Sequence, residues 1–289
     1  IYLMQLVIRP SKLGWYYAMV ASVAALHFLG FMALPDTPLL FFGALFILLF
    51  KLYLEQPKWW LAVCLGATGG LMIISKYHAL AIIGLLFLSR IRLLKDPRFW
   101  LAVLVGGVIL IPHILWQYEN QFPSIHYHLF ERSVKGYVFE NTYQYLLFQP
   151  LVLGPITGIL FMIGAWKRPI SSPFERALKF LFWGGYLFFF LMTFKDRVES
   201  HWTFFCLLPG LYFGYHWLVN FSPFQKAIRY SLPVLLLLVV AGSVVWAFGL
   251  FVPRNDPKFM GGALLDHDAW TSEIARISEG HPVLFMNSY

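Results

Sequence analysis

Nine apolar runs, each about as long as a bilayer core is thick, follow one another along the 289-residue chain and leave little sequence for anything else. They occupy 14–33, 37–54, 59–75, 77–94, 99–116, 145–166, 177–194, 202–220 and 229–251. In hydrocarbon a backbone must satisfy its own polar groups, which helices do within one segment. The runs therefore predict an all-α polytopic membrane protein with about nine transmembrane helices. Composition agrees: 59% of residues are hydrophobic and 12% charged, with mean hydropathy +0.67, against roughly 25% charged in soluble domains. A soluble enzyme is excluded, and a disordered or fibrous chain fails for lack of charge and repeats. The run 77–94 is the weakest, because Arg90 and Arg92 must snorkel to the interface. Cys64 and Cys206 each sit inside an apolar run and suggest neither a disulfide framework nor a zinc cluster. Residues 1–8 form an apolar stub before Arg9 and Lys12, as expected of a chain that starts inside a helix.

Charge sets the expected orientation, since cytoplasmic loops carry the excess of Lys and Arg. Of the 22 basic residues, 14 fall in one set of alternate loops and 8 in the other, while the acidic residues divide 3 to 11 the opposite way. The basic side holds Arg9, Lys12, Lys51, Lys58, Arg90 to Arg98, Lys167 to Lys179, Lys226 and Arg229. The net charge of +8 is thus a topology signal and not a nucleic-acid footprint. On the outer side, 117–144 reads as an interfacial loop with a short amphipathic helix. Residues 252–289 read as a Pro/Gly linker, a helix over DAWTSEIARIS and a strand-like PVLFMNSY. The expectation is a transmembrane domain over 1–251 and the truncated start of a small extracytoplasmic α/β domain over 252–289.

The polar residues worth weighing lie at outer helix ends. Asp36, in ALPDTPLLFF, has the ordinary reading of a helix N-cap ahead of Pro38. Lys76, in LMIISKYHAL, is either a snorkelling lysine or a point charge for a phosphate. In KDRVESHW, Lys195 and Arg197 suit an anion while Asp196 and Glu199 are available to neutralise them. A solvated charged turn is the plainer reading there, weakened by the coincidence with Lys76 and Arg132 on the same side. His126 with His128, and Asp266 with Asp268, look like metal pairs but lack third and fourth ligands at a usual spacing. No metal and no cofactor is signalled.

Taken in order, these stretches resemble the membrane-type, polyprenyl-phosphate-sugar-dependent glycosyltransferases of the GT-C fold, which include protein mannosyltransferases and the aminoarabinose transferases of lipid A. ALPDTPLLFF resembles the family's second acidic motif, and ISKYHAL its Ser/Thr-Lys stretch some forty residues on. HLFERSVKG, with Arg132, resembles the outer-loop arginine segment, and KDRVESHWTFFCLLPGLY, with His201, the late Lys-to-His motif before a Leu-Pro step. The similarity runs over about 1–251. One departure matters: the family's principal catalytic carboxylate lies in a first outer loop that precedes Ile1, so the general base is expected outside this sequence.

The resemblance implies inverting transfer of a sugar from a polyprenyl-phosphate-linked donor to a lipid, glycan or protein acceptor at the outer face of a cell membrane, a bacterial inner membrane by expectation. Lys76, Arg132, Lys195, Arg197 and His201 would bind the substrate, the cations meeting charge on the leaving phosphate. Asp36 would be a second carboxylate, assisting the base or orienting the acceptor. The expected partners are that donor, its acceptor and membrane lipids, with no nucleic acid. The rival from another class is a multi-pass transporter or lipid flippase, but its related halves and ionisable midplane residues are not evident. A non-catalytic membrane scaffold would leave the outer cations unexplained.

Overall fold

The computed structural model describes residues 1–31, 34–126, 137–247 and 267–278. Among them every regular element is helical. The chain divides into two compact units, Ile1–Leu232 and Pro233–Tyr289.

The first unit opens with three short helices, α1 (Tyr2–Ile8), α2 (Leu13–Ala21) and α3 (Ala24–Phe31). The run expected as one span over 14–33 is therefore broken at Ser22 and Val23. The Ser22 hydroxyl donates to the Ala18 carbonyl at 2.8 Å, a local bond that competes with helix continuation. Next come α4 (Asp36–Glu55) and α5 (Trp59–Ser75), then α6 (Ala79–Leu88) with a 3-10 turn over Ile91–Lys95, and α7 (Pro97–Glu119). The expected span 77–94 contracts to the ten residues of α6, because the chain leaves the α-helix at Ser89 before the charged Arg90. Asp96 starts α7 as its N-cap, accepting from the Arg98 N–H at 3.0 Å, with Pro97 at the first helical position.

After the four-residue α8 (Pro123–His126), α9 (Phe139–Val152) and α10 (Pro155–Lys167) replace the single span expected over 145–166. They meet at 96°. The bend sits at Gly154, whose φ of 104° only glycine adopts readily, followed by Pro155, which starts the next helix. Then follow α11 (Pro173–Met192), a 3-10 segment Ser200–Cys206, α12 (Leu207–Leu218) and α13 (Ser222–Ala247). By length and composition α4, α7 and α13 can each cross a membrane, and the bent α9–α10 pair makes up to four. The polytopic helical class stands, whereas nine full-length spans are not what the described helices amount to.

Two contacts position the site. Helix α5 lies against α7 through Gly66 and Gly70, where a Cβ at Gly66 would strike the Ala102 carbonyl oxygen and one at Gly70 would come within 3.0 Å of Ile109. Small residues four apart let helices approach closely in lipid. Helices α4, α6, α11 and α12 and the 3-10 segment share an apolar interior that includes Ile47, Phe50, Ile82, Phe182, Phe189, Phe205 and Phe213, all buried.

The second unit contains the remainder of α13 from Pro233 and the amphipathic α14 (His267–Ser278). Helix α14 matches the helix expected over DAWTSEIARIS, and its Arg276 pairs with Glu273 at 2.6 Å. The strand expected over PVLFMNSY lies outside the described residues.

Candidate active site

Helices α4 and α5 are antiparallel neighbours joined by only three residues, Gln56, Pro57 and Lys58, so the start of α4 must return to the end of α5. That closure brings together two residues forty positions apart. The Lys76 ammonium donates to both carboxylate oxygens of Asp36, at 2.8 and 2.7 Å. Asp36 is almost fully withdrawn, its side chain 3% exposed, and that of Lys76 is 14% exposed. The helices favour the arrangement, a carboxylate belonging at a helix N-terminus and an ammonium at a C-terminus. Burial lowers the Lys76 pKa, with the Asp36 hydrogen bond and charge opposing that fall.

The N-cap reading of Asp36 does not hold. Pro35 is the cap, Asp36 is the first helical residue, and its side chain turns to Lys76. The reading of Lys76 as a bare point charge changes too, because its charge is already shared with a carboxylate.

A second contact joins this pair to the late motif. His78 starts α6 two residues beyond Lys76, with its ring stacked on Phe189 of α11 at 5.2 Å and edge-on to Trp202 at 5.1 Å. Phe189 and Trp202 themselves lie 5.7 Å apart. Trp202 belongs to the 3-10 segment that also holds His201, which is half-buried and meets Phe204 edge-on at 6.2 Å. Three of the four stretches singled out in the sequence thus converge. Neither His78 nor Phe189 was picked out from the sequence; the only available signal was an aromatic or imidazole ring beside each charged motif.

Other expected residues do not join the pair. Lys195 and Arg197 are exposed on the turn after α11, where Arg197 leans on Glu199 at 3.6 Å. Arg132 and His128 lie outside the described residues, as do the side chains of Asp266 and Asp268. Next to Lys76 in the chain, the Tyr77 hydroxyl meets His113 Nε2 at 2.7 Å and accepts from buried Gln117 at 2.9 Å. An apolar cavity of about 250 Å3, lined by Met4, Thr37, Leu40, Phe41, Leu207 and Leu211 among others, opens at the residue following Asp36. Among the described residues, no three His, Cys, Asp or Glu side chains are grouped to hold a metal ion.

Residues 1–116, which include Asp36, Lys76 and His78, match the model of the family described as dolichyl-phosphate-mannose-protein mannosyltransferase. The match covers 116 of the 289 residues. The match supports a membrane glycosyltransferase of the GT-C type, and the ion pair lies inside the matched segment. Trp202, His201, Lys195 and Arg197 lie beyond it. No curated protein and no solved structure matches the chain.

Proposed function

We propose that this chain transfers a sugar from a polyprenyl-phosphate-linked donor to an acceptor hydroxyl or phosphate of a lipid, glycan or protein at the outer membrane face, with inversion. The observation that carries the proposal is the Asp36–Lys76 pair, buried at a helix end inside the segment that matches the family. An acceptor oxygen attacks the anomeric carbon, a hydroxyl acceptor giving its proton to a carboxylate base, while the bond from that carbon to the phosphate oxygen breaks and polyprenyl phosphate departs with the electron pair. The growing charge on the phosphate must be met by cations already in place. An ammonium has three N–H donors; two are on Asp36, and the third faces the leaving oxygen. Asp36 holds the ammonium in position and, as the donor engages it, orients the acceptor proton. Lys195, Arg197 and Arg132 are the further cations for the phosphate, and His201 a polar contact to donor or acceptor. The apolar cavity beside Thr37 suits an isoprenoid tail.

The experiment is transfer from a radiolabelled polyprenyl-phosphate sugar by membranes containing the protein, with turnover referred to folded molecules. Asp36→Asn and Lys76→Ala should each lower turnover about 100-fold or more, the usual cost of removing a group aimed at transition-state charge. Full turnover in both variants would end this reading.

A further inference from the structure

The end of the first unit remote from Asp36 carries a cavity that the proposed chemistry does not use. Lys51, fifteen residues and so about 22 Å along α4 from Asp36, donates to the Val7 carbonyl at 2.7 Å, which fixes the turn after α1 at that far end. Beside this turn lies a cavity of about 390 Å3 lined by Lys12, Gly14, Trp15 and Ala18. It is an open depression along one face of α2. Its walls are mostly apolar and its edge is cationic.

The edge is held in place. The Lys12 backbone N–H donates to the hydroxyl of buried Tyr215 on α12 at 2.8 Å. The Arg229 guanidinium, from the start of α13, lies over the Trp15 ring at 5.8 Å from its centroid. Lys226 precedes Arg229 by one helical turn and is exposed. Among the described residues neither Lys12 nor Arg229 has a carboxylate within ion-pairing distance. At Gly14 an added Cβ would meet no heavy atom within 4 Å, so the space above it is open.

We propose that this cavity seats the headgroup of an anionic glycerophospholipid of the inner leaflet, its phosphate between Lys12 and Arg229 and its glycerol against Trp15. Charge chooses the occupant: Lys12 lines the cavity and Arg229 lies over its Trp15, neither paired with a carboxylate among the described residues, and cationic pockets take anionic headgroups. A Trp whose ring is apolar and whose edge is polar belongs at the same depth. The site depends on the membrane orientation and not on sugar transfer.

The test is native mass spectrometry of the protein released from mixed phosphatidylcholine and phosphatidylglycerol vesicles, counting the lipid retained. Phosphatidylglycerol should be held in preference to phosphatidylcholine. Retention should weaken about fivefold for each cation removed in Lys12→Gln and Arg229→Gln. Gly14→Leu, which adds bulk in open space and leaves charge untouched, should abolish it. Gly107→Leu on α7, also an open position, should retain it and so reports on folding. Equal retention of the two lipids, or undiminished phosphatidylglycerol in both cation variants, overturns the proposal. Undiminished retention in Gly14→Leu overturns this cavity as the seat. No arm requires transfer activity, so failure here and failure of the glycosyltransferase reading are told apart.

Discussion

Asp36 and Glu175 are buried carboxylates in the first turns of α4 and α11, at opposite ends of the first unit, each with a side chain 3% exposed, and they are satisfied in different ways. Glu175, near the start of α11, accepts from Arg168 Nε at 2.8 Å, the Ser171 N–H at 2.8 Å, the Ser171 hydroxyl and the Tyr212 hydroxyl at 2.9 Å. Its own N–H is capped by Ser172 at 3.1 Å, the S-x-x-E pattern of a capped helix start. Among the described residues Asp36 has one cation, Lys76, for both oxygens. A carboxylate surrounded by donors from its own turn and a packed helix serves the fold. A carboxylate and an ammonium that face mainly each other keep lone pairs and an N–H for a third party, which suits a site.

The sharpest way to break this contrast is to remove Glu175. Glu175→Ala leaves the buried Tyr212 hydroxyl and the partly exposed Arg168 without their anion, so stability should fall by about 1–3 kcal/mol, the usual cost of leaving such groups unsatisfied. Thermal unfolding in detergent measures it, alongside turnover per folded molecule, which should not change. An unaltered melting temperature with impaired turnover would reverse the assignment of the two ends.

An effect of similar size tests the other end. Asp36→Lys sets two ammonium groups together, and adding Lys76→Asp restores opposite charges in inverted order. The double variant should recover about 1–3 kcal/mol over the sum of the singles, the range for directly coupled residues. It should not recover transfer, because the cation then sits where the acceptor proton is to be oriented. Recovery of turnover along with stability would make the pair a strut and nothing more.

How far these two ends were legible in the sequence follows from what encodes them. Asp36, Lys76 and the late segment at Trp202 stood out because charge at an outer helix end is costly near lipid and hence conspicuous among apolar runs. That Asp36 and Lys76 share one ion pair was not visible, since it depends on α4 and α5 packing as neighbours across a three-residue link. The helical class was legible from run length alone. The breaks were not: hydropathy does not see Ser22 bonding back to Ala18, the φ of Gly154 or the early end of α6 at Ser89. Glu175 passed unnoticed as a capping residue in a basic loop, although Ser172 and Pro173 ahead of it marked the helix start.

The smallest effect separates the buried carboxylates from a half-open one. Asp96, in the turn before α7, accepts from Arg98 Nε at 2.8 Å and from the Tyr53 hydroxyl at 2.7 Å. Burial raises its pKa, but the hydrogen bonds from Arg98 and Tyr53 outweigh that, and the net shift is downward. A carboxylate whose folded pKa is below its unfolded one contributes stability that is fully present above the unfolded value, near 4 for Asp, and is lost as the pH falls through the folded value. The melting temperature should therefore drop below about pH 4. Asp96→Asn should flatten the part of that drop due to this group, and Tyr53→Phe should shrink it by removing one donor. The contribution should not exceed about 1 kcal/mol, because the ion pair is partly solvated. An acid profile identical in the wild type and in Asp96→Asn would show that this link adds nothing, leaving Asp36 and Glu175 as the carboxylates on which the two ends depend.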